Sequence, residues 1–293
     1  MDVLEVFPRG LVYVGMGVFI LIMAKIIQDF LTPYRINDQL KNRSNFALAI
    51  SISGYYLGII LVFIGALYQP FGFVEFISDG GLGFTTDYWK DVLEVFLYSL
   101  GGIVALNVAR LVVDKVILYK FSTEKEIIDD QNSGAGVVEA AVYVGVGLII
   151  AGSIAGDGGN VSTVLVFFLL GLAALIIYTL FYQFTTPFNI HDELEADNVA
   201  VGIALAGNML AISLIIFKAV FGNFDGWVES LIGFGIFIVI GFALLYFIRL
   251  IVDYILFPKV KLSEQISTHR NIGIALIEGS ILTCVSLILL FSV

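Results

Sequence analysis

Apolar residues run through this chain in eight long stretches separated by short polar connections, at roughly 9–31, 46–68, 89–119, 134–156, 161–185, 198–221, 227–257 and 271–292. A helix rising 1.5 Å per residue needs about 20 apolar residues to cross about 30 Å of hydrocarbon, and the eight stretches meet or approach that length. They are continuous, as from Val164 to Leu180, whereas the strands of a membrane barrel alternate apolar and polar residues. The pattern predicts an all-α polytopic membrane protein with eight transmembrane helices.

Composition agrees. Of 293 residues, 59% are hydrophobic and 14% charged, which leaves too little polar surface for a water-exposed domain. Asp2 and Glu5, rather than a basic segment, precede the first stretch, so it is expected to be a retained helix. The single cysteine, Cys284, lies in the last stretch, where a packing role is expected. Neither a disulfide nor a cysteine metal site is available within one chain.

Lys and Arg set orientation in a bilayer. Twelve of the fifteen fall in or beside the connections 1–2, 3–4, 5–6 and 7–8, against Arg9, Lys90 and Lys218 on the other side. Those four connections are therefore expected in the cytoplasm and both termini outside. The connection after helix 5 dissents, since His191, Asp192, Glu193, Glu195 and Asp197 have no basic residue among them. Acidic residues weigh little in this rule. Neither face carries a basic excess, so no nucleic-acid partner is expected.

The chain repeats itself. Thr32-Pro33-Tyr34-Arg35-Ile36-Asn37-Asp38-Gln39-Leu40 returns as Thr186-Pro187-Phe188-Asn189-Ile190-His191-Asp192-Glu193-Leu194. Asn45, Ala47, Ser51, Gly54 and Gly58 then align with Asn198, Ala200, Ala204, Gly207 and Ala211. At a constant shift, Gly102, Arg110, Asp114, Asn132, Gly134 and Glu139 align with Gly241, Arg249, Asp253, Asn271, Gly273 and Glu278. Two four-helix repeats are expected, 1–157 and 158–293. An even helix count per copy makes them parallel, and a pseudo-two-fold axis along the membrane normal is expected between them.

On these residues the chain resembles the YjfL family, a bacterial inner-membrane domain of unknown function with four helices per domain. The Thr-Pro turn ending in Asp/Glu/Gln-x-Leu carries the resemblance, with the Asn and small-residue start of helix 2. So does Arg-x-x-x-Asp followed by Asn-x-Gly-x-x-x-x-Glu in the second hairpin. The resemblance covers both halves and implies a tandem member in the bacterial cytoplasmic membrane, with a contextual link to envelope stress. It supplies no catalytic residues.

Three constellations are candidates for function. Ala47, Ser51, Gly54 and Gly58 form a small-residue stripe on one face of helix 2, repeated by Ala200, Ala204, Gly207 and Ala211 on helix 6. Such stripes let backbones approach, either within a half or where the two stripes meet at the axis or in an oligomer. Gly152 and Gly156 are read as a further small pair in helix 4. The pairs Arg110/Asp114 and Arg249/Asp253 each share a helical face at i, i+4. Glu139 and Glu278 lie about two turns inside helices 4 and 8, where a lone carboxylate is costly. An Arg, Asp and Glu cluster is therefore predicted in each half, either as an ion-paired latch or as a protonatable or cation-binding site. Finally, Asn45, Asn132, Asn198 and Asn271 precede helices 2, 4, 6 and 8 and are predicted N-caps.

The acidic run at His191 lacks the glycine and spacing of a calcium loop, and no cofactor is implied. The chain has two histidines, no His-Glu-x-x-His, no Gly-x-Ser-x-Gly and no phosphate-binding glycine loop, so an enzyme is disfavoured. The aromatic 70–88 connection, with Phe71, Phe73, Phe76 and Phe84 beside Tyr88 and Trp89, is expected at the outer interface. The leading expectation is a non-enzymatic membrane component that associates with itself or with other membrane proteins. The alternative is a proton or small-cation channel or transporter using the duplicated charges.

Overall fold

The computed structural model describes residues 3–68, 86–120, 122–156, 159–256 and 261–292. Among these residues the secondary structure is helical throughout, and eight helices are long and apolar enough to cross a membrane. The expected aromatic connection lies outside the described residues, apart from its last two aromatics. Of those, Tyr88 is buried and meets Tyr13 edge-on at 6.0 Å.

The described residues form four hairpins, each a long helix, a short helix and a second long helix. They are α1 (Val3–Leu31), α2 (Ile36–Arg43) and α3 (Phe46–Tyr68), then α4 (Thr86–Ile117), α5 (Thr123–Ile128) and α6 (Ser133–Ile154). The second half supplies α7 (Val161–Thr185), α8 (Ile190–Glu195) and α9 (Val199–Val220), then α10 (Trp227–Ile251), α11 (Leu262–Ser267) and α12 (Ile272–Ser292). After α10 the chain continues as one π-helical turn, Val252–Leu256.

Each hairpin reverses by the same device. A non-glycine residue with positive φ follows the short helix: Ser44 at 49°, Gln131 at 52°, Asp197 at 58° and Arg270 at 51°. The next residue is in every case the capping asparagine. The short helices share a pattern too, with apolar Leu40, Ile127, Leu194 and Ile266 each preceded by Gln or Glu. The duplication visible in the sequence is therefore built on a finer unit, used four times.

The hairpins stand side by side in two layers. The second helices, α3, α6, α9 and α12, form one row, and α3–α6, α6–α9 and α9–α12 are the most extensive helix pairs. The first helices form the other row, joined by aromatic contacts such as Phe19–Phe96 at 6.2 Å and Tyr178–Phe242 at 5.0 Å. The middle of the first row is the core: α6 and α9 are the most buried spans and α10 the least.

Small residues hold that row together. Ala47 meets Gly136, Gly54 meets Ala140 and Gly58 meets Gly147 across α3–α6. Gly207 meets Gly279 across α9–α12, while Gly134 meets Gly202 and Gly145 meets Ser213 across α6–α9. Lipid tails are as apolar as leucine, so helices in a bilayer gain by close van der Waals approach rather than by hiding from solvent. These contacts provide that approach.

Of the two readings of the stripes, packing within a half is the one seen in the chain: those on α3 and α9 do not meet each other, and each packs on the last helix of its own half. Two expectations are corrected. The halves are not related as a two-fold fused dimer. Such an axis would pair α12 with α3 as closely as α6 with α9, yet α3 and α12 end the row with exposed faces. Even helix counts fix the direction of the two copies but not the rotation between them. Last, Gly156 lies beyond α6, whose C-cap is Ala155, and its φ of 150° serves a turn against Gly222.

Candidate functional site

The two predicted clusters form where α4 meets α6 and where α10 meets α12. In the first, Arg110 donates through Nε to Glu139 Oε1 at 2.8 Å and again through Nη2 to the same oxygen. Ser51 on α3 donates its hydroxyl proton to Glu139 Oε2. Arg110 Nε also lies 3.0 Å from Asp114 Oδ2. Glu139 and Ser51 are buried, so both carboxylate oxygens are bonded inside the bundle. A carboxylate satisfied this way is inexpensive to keep at depth, whereas an unpaired one is not.

Sequence reasoning brought Arg110, Asp114 and Glu139 together but placed Ser51 only in the packing stripe. Ser51 does both: its small side chain lets α6 approach, and its hydroxyl bonds the glutamate. The signal available was a hydroxyl at a position where the second half carries Ala204.

The second cluster is looser. Arg249 Nε stands 3.6 Å from Glu278 Oε1, donates through Nη2 to Thr186 Oγ1 at 3.2 Å, and lies over the Tyr182 ring at 4.6 Å. The ion pair expected between Arg249 and Asp253 is absent among the described residues. Asp253 falls in the π-turn, which takes the backbone off the 3.6-residue register that pairs Arg110 with Asp114. A cavity of about 130 Å³ opens here, lined by Tyr182, Thr185, Arg249, Asp253, Ser263 and Glu278 among others.

All four predicted asparagines cap helices. Their Oδ1 atoms accept from the backbone N–H of Leu48, Ala135, Val201 and Ile274 at 2.9, 3.0, 3.4 and 3.2 Å. Their carboxamide N–H groups do something the sequence did not signal. Asn45 donates to the Ile127 carbonyl of the second hairpin at 2.8 Å. Asn132 donates to Leu194 of the third, and Asn198 to Ile266 of the fourth at 3.1 Å. These three caps thus each tie their hairpin to the next one.

Among the described residues, those of the acidic run on α8 included, no three or more His, Cys, Asp or Glu side chains are arranged to hold a metal ion. The acidic run has a basic partner after all, because Lys120 pairs with Asp192 at 3.2 Å. Glu193 accepts from Asn198 at 2.8 Å. His191 is buried, lies 2.7 Å from the Ile117 carbonyl through Nε2, and packs on Tyr119 at 4.8 Å.

Burial pushes the His191 pKa below its ordinary 6.5. The unfolded chain therefore binds the proton more readily, and the contribution of neutral His191 to stability is lost as pH falls through about 6.5 toward the folded value. Melting curves of wild type and His191→Gln should diverge less at pH 5 than at pH 8. A constant difference across that range would show that His191 does not titrate with folding.

These features define a multi-pass α-helical membrane protein of stacked hairpins with one intramembrane charge cluster in each half. The chain belongs to the family described as Domain of Unknown Function (DUF350), whose model matches residues 2–154 and again 158–293. It is 23% identical over 267 residues to a UPF0719 transmembrane protein of Aquifex aeolicus (strain VF5), covering 89% of this chain and 91% of that one. No solved structure matches it.

Proposed function

We propose that the protein is a non-enzymatic membrane scaffold that associates with itself, and that its charge clusters are latches fixing each half. The observation that carries this reading is Glu139: Arg110 and Ser51 engage its two oxygens within the bundle. A carboxylate so engaged holds three helices in register and is poorly placed to release a proton or take up a cation. The close packing of the second-helix row supports a rigid body rather than one that rocks between two access states.

A second reading, a proton or small-cation pathway, is favoured by one observation. The fourth hairpin has a looser ion pair, no hydroxyl in the place of Ser51, and a polar cavity beside Glu278. Ion-flux assays in proteoliposomes separate the two. The scaffold reading expects no flux above empty vesicles under proton, sodium or potassium gradients. Flux that disappears in a folded Glu278→Gln variant would establish the pathway instead.

The twelve-to-three distribution of Lys and Arg supports an orientation with both termini outside, and the transmembrane relative of Aquifex aeolicus supports a bacterial cytoplasmic-membrane location. A reporter active only outside the cytoplasm should work when fused after Val293 and fail when fused within 259–261. The reverse pattern would invert the topology.

A further inference from the structure

The hairpin-to-hairpin relay has a free end. Asn45, Asn132 and Asn198 each donate to a short-helix carbonyl of the following hairpin. Among the described residues no hairpin follows Asn271, and its carboxamide reaches only Gln265 Oε1 of its own hairpin, at 3.5 Å. Continuing the series, its acceptor is the carbonyl of Leu40 in the first hairpin of another copy. Leu40 is 37% exposed, whereas Leu194, its counterpart in the third hairpin, is fully buried under Asn132.

The helix faces tell the same story. Gly134 and Gly145 of α6 lie buried against α9, and the repeat places Gly273 and Cys284 of α12 at the equivalent positions, both exposed. Ser280 extends that face. On the other side of the seam, Ser213 and Phe217 of α9 correspond to Ile60 and Ile64 of α3, and Ile64 is exposed. A lipid-facing surface has no use for Gly, Ser and Cys in line, whereas a helix interface does. The first and last helices of the row thus carry the two halves of a seam already formed once within the chain.

We propose that copies join head to tail, α12 of one against α3 of the next, by repeating the α6–α9 seam. The proposal rests on the self-association reading above and specifies its surface. The contact is heterologous, since a face of the fourth hairpin meets a different face of the first. The Asn271 carboxamide then donates to the neighbour's Leu40 carbonyl and completes the relay.

The native cysteine makes the test direct. Gly145 faces Ser213 within the chain, so Cys284 should face Ile60 of the neighbour. Ile60→Cys in lipid vesicles is expected to give oxidative crosslinks between copies, whereas wild type and Ile60→Cys/Cys284→Ser give none. Wild type crosslinking through Cys284 alone would mean that α12 packs on itself and would overturn the proposal. Asn271→Asp, which keeps the Oδ1 cap of α12 and removes only the carboxamide donor, should lower the crosslinked fraction several-fold with little change in monomer melting, while Asn132→Asp, the internal counterpart, should lower the melting temperature. Counting copies per particle by photobleaching separates the two layers of inference. Single copies would sink self-association itself, whereas assemblies in which the Ile60→Cys variant forms no crosslink to Cys284 would sink only the head-to-tail arrangement.

Discussion

Arg110→Met is expected to destabilise the fold by about 3–5 kcal/mol, because it leaves Glu139 buried without its counter-ion and Asp114 beside it. Unfolding in mixed micelles measures the loss. The triple variant Arg110→Met/Asp114→Leu/Glu139→Leu should recover most of it, since replacing a whole buried ion set by apolar side chains is often neutral or stabilising. Arg249→Met should cost less than Arg110→Met. Its glutamate stands at 3.6 Å, and Thr186 and Tyr182, which share the guanidinium, carry no charge to strand. Equal losses in the two halves would mean that the difference in geometry has no energetic weight.

Gly58→Leu is expected to be as damaging, for a different reason. A Cβ at Gly58 would overlap the Tyr143 carbonyl of α6, so backbone, not a movable side chain, has to give way. Overpacking in a filled core costs about 1–3 kcal/mol and more where no side chain can turn aside. Here it should separate the first and second hairpins and also weaken the Ser51–Glu139 hydrogen bond, which spans the same two helices. Gly101→Leu on α4 is the control, because nothing lies within 4 Å of the added atom. Thermal unfolding should fall steeply for Gly58→Leu and stay at the wild-type value for Gly101→Leu. Comparable behaviour would contradict the close α3–α6 contact.

The hydrophobic pattern specified the eight spans almost to the residue, because a continuous apolar run that crosses a bilayer must do so as a helix of about 20 residues. The clusters were legible for a related reason: charge inside a membrane has to find a partner, and Arg110 and Glu139 sit at matching depths in one hairpin. The arrangement of the halves was not legible. Even helix counts make copies parallel, but whether the second is turned about an axis or displaced sideways depends on which faces pack, and both faces of α3 are apolar. The fourfold hairpin was hidden too. It rests on a positive-φ residue before each asparagine, filled by Ser44, Gln131, Asp197 and Arg270, which share no side-chain chemistry. The Arg249–Asp253 spacing misled because a π-turn interrupts it, and nothing in Val252–Leu256 marks that turn in advance.

The central claim is that the hairpins form an open row rather than a closed two-fold bundle. It is tested most directly by the distance, within one molecule, between Cys284 on α12 and the thiol that Ile60→Cys introduces on α3. Spin labels on Ile60→Cys protein, diluted into an excess of unlabelled Cys284→Ser protein, isolate that distance from contacts between copies. With neighbouring helix axes about 8–10 Å apart, a row of four expects the outer pair at about 25–30 Å. A distance near 10 Å would place α12 beside α3 and contradict the row.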